Sequence, residues 1–101
     1  MNNLLVFLLL GYLFCQVEID TEYTLNIMTW NLKNFPKVGS TTVDYVDSLI
    51  TLSNLDIIAL QEIESSTYFN DLVNSLDGWN GFLANSAYYN MNLAYLYTDD
   101  I

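Results

Sequence analysis

The sequence predicts an α/β fold, a sheet with parallel neighbours and helical crossovers, and three observations predict it. The first is the run Asp56-Ile57-Ile58-Ala59-Leu60-Gln61-Glu62-Ile63-Glu64, apolar until it ends in an amide and two carboxylates. A run this short, rich in Ile and bounded by polar residues, suits a strand covered on both faces. The second is a strand-like stretch upstream, Leu25 to Leu32, separated from that run by residues of helical periodicity. The third is the order beyond it: another helical pattern, then two more strand-like stretches. A strand, a helix and a strand in succession normally make the two strands parallel, so both polar tips fall at the same edge of the sheet.

The chain opens on an apolar block, Leu4 to Phe14. It is too short to span a membrane, which takes about 20 apolar residues, and it fits the apolar region of a secretory signal peptide. Residues 1–16 therefore read as a signal peptide and the protein as secreted, although no basic residue precedes the block. A buried helix or an uncleaved anchor is the alternative. Cys15 follows Tyr12-Leu13-Phe14, with no small residue before it, which argues against lipid attachment. Cleavage near Cys15 or Gln16 would leave a mature chain of roughly 85 residues with no internal disulfide, stabilised by packing alone. A hydrophobic content of 52% with 15% aromatics supplies that core.

Twelve acidic residues stand against Lys33 and Lys37, a net charge of −10. Such a surface repels phosphate backbones and excludes nucleic-acid binding by simple charge neutralisation. It favours cations, so a phosphodiester would have to be handled through a bound metal.

Gln16 to Thr24, with Glu18, Asp20 and Glu22, reads as an acidic lead-in. The first strand follows, with Ile27, Thr29 and Asn31 on one face and Met28 and Trp30 on the other. Asn34 to Ser40 breaks it, because Pro36 cannot donate to a ladder and Gly39 supplies a corner. Thr41 and Asp44 resemble a capping box, and Val43, Val46, Leu49 and Ile50 give a helix from about Thr42 to Leu52. In the Asp56 strand, pleating sends Gln61 and Ile63 to one face and Glu62 and Glu64 to the other. Ser65 or Ser66 caps a second helix with the stripe Tyr68 or Phe69, Leu72, Val73 and Leu76, closed by Asp77-Gly78. Gly81 to Ala87 and Asn92 to Tyr97 are strands joined through Tyr88 to Met91. Trp30 and Tyr97 read as core aromatics, and the Tyr88-Tyr89 loop as surface packing, with stacking on a base as the alternative. Asp99-Asp100 reads as a solvated turn.

Three stretches, in order, carry a resemblance to the endonuclease/exonuclease/phosphatase superfamily, which includes deoxyribonuclease I-like nucleases. Met28-Thr29-Trp30-Asn31-Leu32 is similar to the family's opening strand with its site asparagine. Leu60-Gln61-Glu62-Ile63 resembles the "QE" motif with its metal-binding glutamate, and Asn92 to Tyr97 resembles the strand after the family's substrate loop. The likeness covers Leu25 to Ile101 and corresponds to about the first third of such a domain. It implies the N-terminal part of a four-layer αββα sandwich over residues 25–101. It also implies hydrolysis of phosphodiesters with Mg2+, or with Mn2+ or Ca2+, most simply by a secreted nuclease.

By the same resemblance Glu62 and Asn31 are metal ligands and Asn31 also touches substrate. The family's catalytic histidines and aspartates have no counterpart here, since the chain has no histidine. No catalytic residue is expected within these 101 residues, and the chain reads as an incomplete fragment, inactive alone. Where family nucleases carry basic residues, this chain has Met91-Asn92 and Glu64.

The chemistry fits these residue types. Mg2+ is a hard ion that takes one or two carboxylates, waters and substrate phosphate. Glu62 would supply a fixed anionic oxygen, and Asn31 an amide oxygen for the ion or a donor for a phosphate. In an arbitrary protein Glu62 would be a solvated rim residue and Asn31 a turn former. Nucleic acid is the expected substrate partner, with a phospholipid or inositol phosphate as the alternative, and no stable protein partner is predicted. A catalytically dead acidic module that binds cations is the reading from another class. With one sheet face uncovered, the isolated chain is expected to be poorly soluble or partly molten.

Overall fold

In the computed structural model, residues 17–20, 23–85, 89 and 91–101 are described. The expected signal peptide over 1–16 lies outside them, as do Glu22, Tyr88 and Asn90. The elements in chain order are β1 (Val17–Asp20), β2 (Tyr23–Leu25), β3 (Ile27–Phe35), α1 (Gly39–Leu52), β4 (Ile57–Ile63), α2 (Ser66–Ser75), β5 (Trp79–Leu83) and β6 (Asn92–Thr98). No helix among the described residues is long and apolar enough to cross a membrane.

The architecture is mixed α and β. Its main sheet has the order β3-β4-β6-β5. β3 and β4 are parallel, as the intervening helix requires, while β6 runs antiparallel to both β4 and β5. β1 and β2 form a separate antiparallel pair, so the acidic stretch expected as a simple lead-in is partly a hairpin.

The core lies between the sheet and the two helices. Ile58, Leu60, Ala94 and Leu96 project from the central strands onto Val43, Val46 and Ile50 of α1 and Phe69 and Leu72 of α2, all buried. Met28, Trp30, Trp79 and Leu83 pack around this cluster from the edge strands. Among the described residues nothing covers the opposite face. There β4 presents half-buried Ile57 and Ala59, so the expectation of a strand covered on both faces is corrected. Ile27 and Thr29 flank them on β3, and Tyr97, Tyr95 and Leu93 on β6. Tyr97, expected in the core, therefore lies on the open face. Phe82, Tyr95 and Tyr97 form an aromatic row there, with centroids 5.3 and 6.0 Å apart.

Local chemistry explains the helix boundaries. Ser65 caps α2 by accepting a bond from the Tyr68 N–H at 3.2 Å. Gly78 adopts φ +78° in the turn that follows, where a side chain would be strained. At α1 the expected Thr41–Asp44 box does not form. The helix starts earlier, at Gly39, and the Thr42 hydroxyl accepts a bond from the Val38 N–H at 2.8 Å. Leu49, expected in the buried stripe, is 54% exposed, since Val43, Val46 and Ile50 already span the contact with the sheet. At the far end of the sheet Asp56 clasps β3 to β4: its carboxylate accepts from the Asn26 N–H at 2.8 Å, and its own N–H donates to the Asn26 carbonyl at 2.8 Å.

Candidate metal and phosphate site at the strand tips

The tips of β3 and β4 depart from regular strand geometry together. Asn31 pairs with Gln61, and the next partners are Phe35 and Ile63. Two extra residues on β3 are accommodated by Lys33 and Asn34, at φ 49° and 58°. On β4, Leu60 faces Ala94 and Ile63 faces Asn92, so β4 carries one residue more than β6. That bulge centres on Glu62, at φ 62°. Non-glycine residues rarely occupy the left-handed region, and three of them on adjoining strand tips is a local concentration of strain.

The bulge corrects the pleat expected from sequence. Ile58 and Leu60 are buried, and strict alternation would bury residue 62 next; instead Ile63 is fully buried and Glu62 only partly so. Gln61 and Ile63 therefore lie on opposite faces. A left-handed residue resets the alternation by one position, which lets Ile63 reach the core while Glu62 stays out of it. β3 does the same. Its sequence was expected to break at Asn34, yet the two left-handed residues return Phe35 to the sheet, where it is completely buried. The Phe35 carbonyl then accepts from the Glu64 N–H at 2.9 Å, holding the segment beyond β3 beside the tip of β4.

The two motif residues next to Glu62 have distinct local roles. Gln61 donates through its amide nitrogen to the Thr29 hydroxyl at 2.8 Å and the Ala59 carbonyl at 3.3 Å, bracing β4 to β3 on the open face. Asn31 is exposed, and its amide oxygen accepts from the Lys33 N–H at 2.9 Å. That is the turn-forming role open to any Asn at a strand end. It leaves the amide nitrogen as the donor facing solvent. Asn31 and Glu62 occupy neighbouring tips, since Asn31 is in register with Gln61. Among the described residues no hydrogen bond is made to the Glu62 carboxylate. Nor do three acidic or sulfur side chains gather among them as a cage for an ion. An ion here would be held by the Glu62 carboxylate and water, with the second lone pair of the Asn31 amide oxygen as the other protein donor.

Sequence reasoning passed over Lys33 and Lys37. Both cations of the chain lie within residues 33–37, Lys33 near the end of β3 and Lys37 in the turn after it; both are exposed, and Phe35 between them bonds to Glu64. The signal was present in the composition: in a chain of net charge −10, both positive charges fall next to the motif asparagine. Tyr89, for which surface packing was expected, is 87% exposed.

No family model matches the sequence, and no curated protein or solved structure matches it either.

Proposed function

We propose that this chain contributes the metal- and phosphate-holding edge of a secreted, Mg2+-dependent phosphodiesterase, with an αββα sandwich of the deoxyribonuclease I-like type and nucleic acid as its substrate. The observation that carries the reading is the coincidence of strain and chemistry. Glu62, Asn31 and Lys33 lie at the two strand tips where the backbone is left-handed, and Lys37 follows in the turn after β3. Strain of about 1–3 kcal/mol per residue persists where surrounding structure over-determines it, and such residues cluster at functional sites. Parallel β3 and β4 and the uncovered sheet face suit such a sandwich.

In this reading Glu62 supplies an anionic oxygen to the ion, the Asn31 amide and Lys33 contact the phosphate, and the ion offsets charge developing on the phosphoryl oxygens. Water activation requires a general base, and this chain has no histidine. Its own share is therefore to hold the ion and the phosphate.

Titration of the chain with Mn2+, followed by the paramagnetic broadening it causes, tests this. With one carboxylate and no cage, affinity should be about millimolar or weaker, and broadening should centre on Glu62 and Asn31. Glu62→Gln should abolish it. Broadening spread over the acidic helix surface and indifferent to Glu62→Gln would instead favour the acidic cation-binding module, a reading the net charge of −10 supports.

A further inference from the structure

We propose that the cavity between the C-terminal ends of α1 and α2 binds an alkylammonium group, the cationic end of a small amine or of a lysine side chain. The cavity lies beside the start of β4, a strand seven residues long, so it is about 20 Å from Glu62 and does not rest on the metal site. It holds about 350 Å³, near the lower end for ligand pockets. Thr51 and Ser53 reach it from the end of α1, Ser75 and Asp77 from the end of α2 and the turn after it, and Trp79 and Thr98 from β5 and β6.

The lining is rich in lone pairs and poor in protons to give. A hydroxyl carries one proton, and three of the four hydroxyls have already donated theirs. Ser53 donates to the Ile50 carbonyl at 2.6 Å, Ser75 to the Leu72 carbonyl at 2.8 Å, and Thr51 to an Asp47 carboxylate oxygen at 2.9 Å. The carbonyls of Thr51 and Ser75 lie in the last helical turns, where no intrahelical partner exists, and no N–H among the described residues bonds them. Both helices end here with the negative ends of their dipoles, neither has a basic residue in its last turn, and Asp77 adds a carboxylate.

A second observation is independent of these. Among the described residues, the Oγ1 of Thr98 is the buried side-chain polar atom left without a hydrogen-bond partner. A buried hydroxyl in that state is destabilising, and it can accept from an N–H brought into the cavity it lines. These features select the ligand. Dipole ends and a carboxylate repel an anion and give a neutral polyol no charge to gain. A metal ion would find one carboxylate, with no group of three ligating side chains among the described residues, and would leave the apolar wall of Ile50, Leu55 and Leu76 wet. An ammonium brings three donors, its alkyl stem covers that wall, and a cation gains further where it meets the face of a ring such as that of Trp79.

Titration of the 101-residue chain with pentylammonium chloride, followed by its amide and indole NMR signals, tests this. The chain has two tryptophans, so the Trp79 indole is read against Trp30 as an internal control. Saturable shifts are expected at Trp79, Ser53 and Thr98, with a dissociation constant of about 0.1–1 mM. Pentanol and pentanoate keep the stem without the cation and should bind at least about tenfold more weakly. Thr98→Val should raise the melting temperature, because it removes the orphaned hydroxyl, and yet weaken the amine about three- to tenfold. Asp77→Ser should weaken it about three- to fivefold, and Asp44→Ser, exposed near the start of α1, less than about 1.5-fold. Tighter binding of pentylammonium than of lysine capped with acetyl and methylamide groups assigns a free amine, and the reverse assigns a lysine side chain. Equal binding of pentanol or pentanoate, displacement of the amine by equimolar Ca2+, no shift at Trp79, or unchanged affinity in Thr98→Val would each overturn the proposal.

Discussion

Replacing Glu62 by glycine should stabilise the protein while removing the carboxylate proposed to hold the ion. Glu62 sits at φ 62°, on the side of the backbone map where an L side chain crowds the following carbonyl. That conformation costs an ordinary residue about 1–2 kcal/mol, and glycine enters it freely. Glycine also widens the unfolded ensemble, which returns about 0.5–1 kcal/mol. The Glu62 side chain is half-buried and accepts no bond among the described residues, so truncating it loses some packing but less than at a core position. The net expectation is a gain of about 0.5–1 kcal/mol for Glu62→Gly and about zero for Glu62→Ala, which keeps the strain. For a domain of this size a difference of about 1 kcal/mol moves the melting temperature by about 4–8 °C. Thermal unfolding followed by circular dichroism should be run on both variants and the parent, dilute enough that association adds nothing. Both variants should lose the Mn2+ broadening. A glycine variant that melts at or below the alanine variant would refute the strain argument, and with it the main support for a functional tip.

Other outcomes follow from particular contacts. Gly81→Ala places a methyl 2.5 Å from a Val73 methyl and 3.0 Å from the Phe69 ring, and valine is stiff at χ1, so a loss of about 1–3 kcal/mol should appear in chemical denaturation. Phe35→Ala empties a completely buried site and should lower stability by about 3–5 kcal/mol, enough to leave the chain largely unfolded by near-UV circular dichroism. Ser65→Ala removes a formed cap and should cost about 1 kcal/mol, whereas Thr41→Ala, at a position whose expected box does not form, should stay within about 0.5 kcal/mol; urea melts distinguish the two.

Much of the topology was legible because it follows from short-range pattern. The helical spacing of Val43, Val46 and Ile50 between two apolar runs required a crossover and hence parallel neighbours, and β3 and β4 are parallel. Ser65 before a polar-apolar repeat was readable as a cap for the same reason. The site was legible only as a pair of residue types. Alternation placed Gln61 with Ile63 because pattern reading assumes an unbroken pleat. Nothing in Gln61-Glu62-Ile63 announces a left-handed glutamate, since no glycine or asparagine marks the bulge. Lys33 and Asn34 hid the re-entry of Phe35 in the same way, and a proline directly after it read as the end of pairing.

What the sequence determined by itself is the order and type of the main elements, the apolar material for one core, and the placement of both cations beside the motif asparagine. These depend on residue spacing and charge, which are local and additive. Only the tertiary structure decided which face each tip residue meets and where the apolar surface remains uncovered. Ile63 and Phe35 are drawn into the core by what lies across from them on other strands and helices. The backbone at Glu62, Lys33 and Asn34 takes up the resulting mismatch in register, because burying two large apolar side chains outweighs about 1–2 kcal/mol of strain at each left-handed residue.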